Sequence, residues 1–249
     1  IELKRLGFTI NEALAILNKY GDNSLDVVNT NIYCLIDLID FMKLDKIFLT
    51  VKGAMEPERI KACIIETFKR LGMKNGDTYF CKEEIYNVIR NEFKIFIDID
   101  ELDIYLEELS IGNDIVIEDE KYYLTEFYYY EKEIAQNLHL IERMSTEEIA
   151  NFDDLIADLQ ASSDVKYNVD QKKAIKNALE NRITIITGGP GTGKTTIIKS
   201  IIKLYEARKM KVVLCAPTGR AAKRMQEQTG KEATTIHRLL EIRKLDDEN

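Results

Sequence analysis

The chain has 249 residues, 45% hydrophobic and 31% charged, a balance that excludes collagen-like, low-complexity and wholly disordered architectures and leaves room for two or three cores. No apolar run approaches the ~20 residues of a membrane-spanning helix. The net charge of −8 hides a division: residues 166–245 hold 18 lysines and arginines against 6 acidic residues, and the remainder holds 17 against 37, so a chain that is acidic on average carries a basic block able to meet a polyanion.

Four cysteines, at 34, 63, 81 and 215, and two histidines, at 139 and 237, are too scattered for a zinc or disulfide pattern. They read as reduced core thiols of a cytoplasmic protein. The first residue is Ile1 and no charged-then-apolar leader follows it, which suggests a piece of something longer.

Residues 1–76 read as short helices. Over 11–20, Ala13, Ile16, Leu17 and Tyr20 recur at helical spacing. Gly21 then suits a C-terminal cap, and Asp22, Asn23 and Ser24 can start the next helix. Residues 31–46 and 56–71 continue in the same style, with Pro57 in a first turn and Gly72 as a stop.

Residues 77–126 change character. Two amphipathic helices, 82–91 and 100–109, precede Ile115-Val116-Ile117 and Tyr122-Tyr123-Leu124, which flank an acidic turn as a β-hairpin. This order suggests a winged helix. Residues 78–124 hold 4 basic and 13 acidic residues, so phosphates are repelled and a packing module is favoured over a DNA reader. Residues 127–144 read as one long helix whose Tyr128-Tyr129-Tyr130 run packs in a core or interface rather than stacking on bases. His139 on that helix is packed or solvated. Ser145 to Glu148 has capping-box spacing, and the rest of 127–165 is an acidic helix and connector.

Residues 166–249 open an α/β domain. Ile183-Thr184-Ile185-Ile186-Thr187 has the β-branched signature of a buried parallel strand. Gly188-Gly189-Pro190-Gly191-Thr192-Gly193-Lys194-Thr195 follows and meets every fixed position of the phosphate-binding loop G-x-x-x-x-G-K-[ST]. Glycines let successive N–H groups turn toward phosphate oxygens, and the following helix aims its positive end at the same place. Lys194 reaches the β- and γ-phosphates, and the Thr195 hydroxyl is a ligand for Mg²⁺. Thr196 completes the segment counted as nucleotide-binding, with its side chain facing the helix. The loop thus calls for a nucleoside polyphosphate with Mg²⁺, ATP being the cofactor implied by the resemblance given below, and Lys194 and Thr195 are the candidate catalytic residues.

A second strand, 211–216, makes 183–216 one βαβ crossover. After Pro217-Thr218-Gly219, the residues Arg220, Lys223 and Arg224 share a helical face. That face is either solvated or, lying at the carboxyl end of a parallel strand, placed for nucleic acid. Upstream, Gln171 opens a helix 17 residues before Gly188. Its amide has the donor and acceptor to pair with an adenine edge.

Gln171, the loop from Gly188 to Thr195, Cys215-Ala216-Pro217-Thr218-Gly219-Arg220-Ala221-Ala222 and Thr234-Thr235-Ile236-His237-Arg238-Leu239 occur in this order. They resemble the Q motif, motif I, motif Ia and the following segment of RecD-like superfamily-one DNA helicases, the exodeoxyribonuclease V alpha-subunit family. Leu6-Gly7 to Gly21, Glu58-Arg59-Ile60, Thr78-Tyr79 and Tyr122-Tyr123-Leu124 are similar to the long form with a helix-hairpin-helix extension. The resemblance implies a mixed fold: an all-α and winged-helix-like N-terminal region, then the start of an α/β P-loop, RecA-like domain. It implies ATP-driven 5′-to-3′ translocation on single-stranded DNA in repair or recombination, with recombination or repair subunits as partners and no membrane. It makes Gln171 an adenine reader and Thr218 and Arg220 DNA-strand contacts, and Gly219, Lys223 and Arg224, on the same strand-end loop and helical face, join them as candidate DNA-binding residues. It leaves His237 either near DNA or coupling DNA to nucleotide.

Two departures bear on this. Where the family's second hairpin has a Gly-apolar-Gly turn, this chain reads Asp40-Phe41-Met42-Lys43, so residues 1–76 read as a scaffold. The family's Asp-Glu pair and the arginine of its second motor domain have no counterpart up to Asn249, because Asp246-Asp247-Glu248 follows no apolar strand. A non-catalytic nucleotide- and nucleic-acid-binding scaffold and another class of P-loop ATPase are the competing readings. The second of these has no need of the basic Pro217-Thr218-Gly219-Arg220 loop. The 249-residue chain with saturating single-stranded DNA is expected to show near-background ATPase, since an arginine finger alone contributes ~10³–10⁵ in rate. Robust DNA-stimulated turnover would overturn that expectation.

Overall fold

A computed structural model describes residues 2–144, 148–163 and 165–242. It divides into two compact units, Ile1–Ile134 and Ala135–Asn249. The first is helical with a small antiparallel sheet, and the second is helical with a two-stranded parallel sheet.

The first unit begins with α1 (Glu2–Arg5), α2 (Ile10–Tyr20) and α3 (Ser24–Thr30). Thr9 starts α2 with a capping box. Its hydroxyl accepts from the Glu12 N–H at 3.3 Å, and the Glu12 carboxylate accepts from the Thr9 N–H at 2.7 Å. Gly21, at φ 56°, ends it as the spacing predicts. The helix expected over 31–46 does not form as one. A 3₁₀ turn covers Ile32–Leu35, and α4 (Phe41–Val51) starts afresh. The break lies at Asp40, whose carboxylate accepts from the N–H groups of Met42 and Lys43 at 3.0 and 3.3 Å and so fixes a new N-terminus. The next helix, α5 (Pro57–Asn75), has Pro57 in its first turn but runs through Gly72. Gly76 stops it instead, with φ 78°. Gly72 is small for another reason: a Cβ there would lie 3.2 Å from the Asp77 carbonyl oxygen.

After α5 come β1 (Tyr79–Phe80), α6 (Lys82–Asn91), α7 (Ile99–Ile111), β2 (Ile115–Glu118), β3 (Lys121–Leu124) and α8 (Thr125–Glu142). The hairpin forms as expected, with Asp119 and Glu120 both at positive φ in its two-residue turn. The short strand β1, absent from the sequence reading, pairs antiparallel with β3, Tyr79 opposite Tyr123.

One core runs through the unit, from Ile16, Leu35 and Leu44 to Ile64, Phe68, Ile85, Leu102 and Ile115. At its centre Arg59 is 3% exposed and Asp45 5%. The guanidinium grips the carboxylate with Nε at 2.7 Å and Nη2 at 3.0 Å, and its remaining donors reach the carbonyls of Ala54 and Phe93. The Tyr33 hydroxyl donates to the same carboxylate at 2.7 Å. Burial and that carboxylate push the Tyr33 phenol far up.

The long helix α8 buries none of its side chains. Tyr128 meets Tyr123 edge to face at 5.2 Å and donates to Glu118, but Tyr129 and Tyr130 are exposed. No tyrosine of the run therefore lies in a core: Tyr128 is half-buried against Tyr123 and the other two are exposed. His139 is exposed beside Glu142. The thiol expectation is also corrected: Cys63 is buried, Cys215 half-buried, and Cys34 and Cys81 exposed. Burial pushes the Cys63 thiol up to about 12, so it is inert at neutral pH.

The second unit contains α9 (Phe152–Ala161), α10 (Val169–Glu180), α11 (Lys194–Ala207), β4 (Leu214–Ala216), α12 (Gly219–Thr229), β5 (Ala233–Thr235) and α13 (Ile236–Leu239). Ile156, Leu159, Tyr167, Ile175, Ile197 and Leu204 form its core, and the Tyr167 hydroxyl meets the buried Ser200 hydroxyl at 2.7 Å. The expected strand at 183–187 is not a strand. It joins no ladder among the described residues, and Ile185 is 84% exposed. The parallel pair is β4 with β5, Cys215 opposite Thr234, joined by α12. The crossover is thus one element later than expected, because β-branched composition alone cannot supply a pairing partner. Asp246-Asp247-Glu248 and the segment Ser145-Thr146-Glu147 of the expected capping box lie outside the described residues.

Arg59→Ala is expected to destabilise the first unit by ~3–5 kcal/mol, since it leaves a buried carboxylate unpaired. Urea unfolding followed by circular dichroism measures this, and a loss under ~1 kcal/mol would contradict a central role for the pair.

Candidate nucleotide and nucleic-acid site

The loop before α11 contains two glycines in the left-handed region, Gly191 at φ 76° and Gly193 at φ 87°. Gly193 is the N-cap of α11 and supplies no side-chain acceptor. The backbone angle requires glycine there, and a Cβ at 193 would lie 2.5 Å from the Gln171 amide nitrogen and push that side chain aside. The first-turn N–H groups of Lys194, Thr195 and Thr196 have no carbonyl partner within the helix. Gly188, Gly189 and Pro190 are exposed, and Thr192 braces the loop by donating its hydroxyl to the Gly189 carbonyl at 2.9 Å.

Lys194 lies back on this loop, its Nζ donating to the carbonyls of Gly188 and Gly189, each at 2.6 Å. Two neutral carbonyls hold an ammonium more weakly than phosphate oxygens do, so an entering polyphosphate can replace them. The Thr195 hydroxyl donates to the Gln228 side-chain oxygen at 3.2 Å, leaving its lone pairs free. No group of three His, Cys, Asp or Glu side chains that could hold a metal ion occurs among the described residues. A metal here would take the Thr195 oxygen together with ligand phosphates and water, a donor set that fits Mg²⁺. Thr196 is half-buried, and its carbonyl accepts from Ser200.

Gln171 sits against the loop. Its Nε2 donates to the Thr192 carbonyl at 3.2 Å, while its Oε1 accepts from the Asn168 N–H at 3.1 Å. Asn168 returns the bond, accepting from the Gln171 N–H at 2.8 Å. This is a capping box, legible in the Asn-x-x-Gln spacing but not read there. Both ends of the amide are engaged, so an adenine edge would have to exchange for these bonds.

Thr218 caps α12, its hydroxyl accepting from the Ala221 N–H at 3.2 Å. Gly219, Arg220, Lys223 and Arg224 are exposed, and no ion pair engages the three cations among the described residues. His237 is exposed on α13. Because β4 and β5 are parallel, Thr218 and His237 follow the carboxyl ends of neighbouring strands and share one edge.

The helical front differs. In α2 the Glu12 N–H is taken by Thr9, and in α4 the Met42 and Lys43 N–H groups are taken by Asp40. The Lys43 ammonium lies 2.5 Å from the Glu12 carboxylate that completes the first cap. Burial opposes charge on Glu12, but its bonds to Lys43 and Thr9 outweigh this and hold its carboxyl below the ordinary range.

A family model described as the ATP-dependent RecD2 DNA helicase HHH domain matches residues 1–79, and one described as an AAA domain matches 171–249. The chain is 27% identical to the ATP-dependent RecD2 DNA helicase of Deinococcus radiodurans, over 96% of this chain and 35% of that protein. It is 38% identical to the RecBCD enzyme subunit RecD of Mycolicibacterium smegmatis, over 28% of this chain and 17% of that protein. The corresponding subunit of Buchnera aphidicola from Acyrthosiphon pisum is 32% identical over 56% of this chain and 27% of its own length. The chain therefore spans about a third or less of these relatives. Among the described residues no helix is long and apolar enough to cross a membrane.

Proposed function

We propose that this chain, which belongs to the RecD-like family of DNA helicases in the form with an N-terminal helix-hairpin-helix region, is the nucleotide-gripping part of an ATP-dependent motor on single-stranded DNA. The loop from Gly188 to Thr195 carries this reading. It combines a glycine cap, first-turn N–H groups without a partner and a lysine held only by carbonyls, all among the described residues. The N–H groups and Lys194 bind the polyphosphate, Thr195 holds Mg²⁺, and Gln171 orients the adenine after giving up its contact with Thr192. Bound Mg²⁺ supplies charge neutralisation at the β- and γ-oxygens.

The basic edge formed by Thr218, Gly219, Arg220, Lys223, Arg224 and His237 takes the DNA strand. Polarity is 5′ to 3′, and the setting is repair or recombination in the cytoplasm, with other recombination or repair subunits as partners. In this reading residues 1–76 form a helix-hairpin-helix-like scaffold, 77–126 a winged-helix-like packing module, 127–165 a connector and 166–249 the RecA-like start. The filled caps of α2 and α4 support a scaffold, since amides already bonded to Thr9 and Asp40 cannot also hold phosphate.

Two experiments test the reading. Lys194→Ala is expected to weaken binding of a fluorescent ATP analogue with Mg²⁺ by roughly 10- to 100-fold, the equivalent of a charge-assisted contact of ~1.5–3 kcal/mol. Equal affinities would sink the nucleotide assignment. Arg220→Ala is expected to reduce the log–log salt slope of single-stranded DNA binding by ~0.7. Lys82→Ala is expected to leave it unchanged, because Lys82 is already paired with Asp103 at 2.9 Å. The reverse pattern would put DNA on the acidic face of the first unit.

A further inference from the structure

Thr195 and Gln228 are 33 residues apart in sequence and joined by a single hydrogen bond, Thr195 Oγ1 donating to Gln228 Oε1 at 3.2 Å. A hydroxyl has one hydrogen and two lone pairs. With its hydrogen committed to Gln228, the lone pairs of Thr195 are turned away from that side chain and remain free for a metal ion. A side chain that holds a ligand in this way fixes its orientation and raises its basicity.

Gln228 belongs to α12, the helix that follows the basic strand-end loop. Arg220, Arg224 and Gln228 are spaced at successive intervals of four, so they form one slowly turning row along the helix. The row is ~12 Å long at 1.5 Å per residue. At one end are exposed cations without ion-pair partners among the described residues, and at the other is the acceptor for the metal-ligand hydroxyl. Ala222, on the opposite side of α12, is buried and anchors the helix.

We infer that Gln228 is a positioning residue which holds the Thr195 hydroxyl for Mg²⁺ and, through α12, ties occupancy of the nucleotide site to the strand-binding edge. This rests on the phosphate-loop reading given above. It adds a residue that touches neither nucleotide nor DNA. Since coupling between two ligands is reciprocal, DNA that shifts α12 alters Mg²⁺–nucleotide affinity, and Mg²⁺–nucleotide alters DNA affinity by the same factor.

The test uses the chain with Gln228→Met, which removes the acceptor at similar length, and Gln228→Glu, which keeps an acceptor oxygen. Binding of a fluorescent ATP analogue is titrated with Mg²⁺, with EDTA, and with or without saturating oligo-dT. Gln228→Met is expected to raise the Mg²⁺ midpoint about 5-fold, while nucleotide binding in EDTA stays at the wild-type value. Gln228→Glu is expected to stay near the wild-type midpoint. The change in affinity caused by oligo-dT is expected to shrink in the Met variant and persist in the Glu variant. An unchanged Mg²⁺ midpoint in Gln228→Met overturns the role of Gln228. Equal loss in EDTA and in Mg²⁺ shows a general packing defect and also overturns it. An identical oligo-dT response in wild type and Gln228→Met overturns the coupling. Failure of the wild-type chain to bind nucleotide at all would overturn the phosphate-loop reading, and this inference with it.

Discussion

A helix leaves its first N–H groups without partners, and the residues around each N-terminus decide what satisfies them. In this chain the answer differs from helix to helix. Thr9 fills the start of α2, Asp40 that of α4, Asn168 that of α10 and Thr218 that of α12. The helix α11 is preceded by Gly193, which has nothing to offer. The same physical demand therefore produces side-chain-capped starts at α2, α4, α10 and α12, whereas α3, α5, α7, α9 and α11 have no side-chain cap, and of these α11 is the one whose N-cap is a glycine. A second anion-seeking feature sits there too, because Lys194 is bonded only to backbone carbonyls among the described residues.

Electrostatics sort the chain in the same direction. The Glu12 to Lys43 and Arg59 to Asp45 pairs consume charges of the first unit internally. The first of these is partly exposed and contributes little to stability. Its consequence is local, since it neutralises the one lysine beside the α4 start. The second is buried and bonded on every side, so its loss would be costly. The cations of α12 have no such partners among the described residues, which leaves their field directed outward.

The phosphate loop was legible because its determinants are contiguous: glycine positions, a lysine and a threonine at fixed spacing need no tertiary information. Helix starts at Asn168 and Thr218, and the hairpin around Asp119 and Glu120, were legible for the same reason. What escaped were features set by partners distant in sequence. Asp40 breaks the expected 31–46 helix because its carboxylate caps locally, a competition that apolar spacing does not register. Gly72 passes for a stop until the approach of the Asp77 carbonyl shows why it is small. Residues 183–187 have strand composition without a ladder, while β5 has only Ala233, Thr234 and Thr235 and yet pairs along its whole length. The tyrosines of α8 are spaced to suggest burial, but Tyr128 alone meets a ring outside the helix, Tyr123, while Tyr129 and Tyr130 meet only rings of α8 itself among the described residues. Nothing in the sequence marks Gln228, since a bond across 33 residues depends on where α12 packs.

The energy available to the Thr195–Gln228 contact sets the scale of what it can do. A neutral hydrogen bond contributes a net ~0.5–1.5 kcal/mol, and one to a charged group ~1.5–3 kcal/mol. A metal-bound hydroxyl moves from the first range toward the second, because the cation polarises its O–H. The difference between the metal-bound and metal-free states is then of order 1 kcal/mol, the lower end of typical coupling free energies between sites. That is enough to bias α12 by several-fold but not to drive a large rearrangement. A larger response would need more than one contact to change together. Lys194 is placed to contribute one, since polyphosphate would draw it away from the carbonyls of Gly188 and Gly189. Gln171 would contribute another by releasing the Thr192 carbonyl. Each of these bonds is made with the same loop, so exchanging all three for ligand contacts would change the loop's own support at the moment of binding. The cost of reorganising the loop and the selectivity for a ligand that can replace all three contacts thus have the same origin.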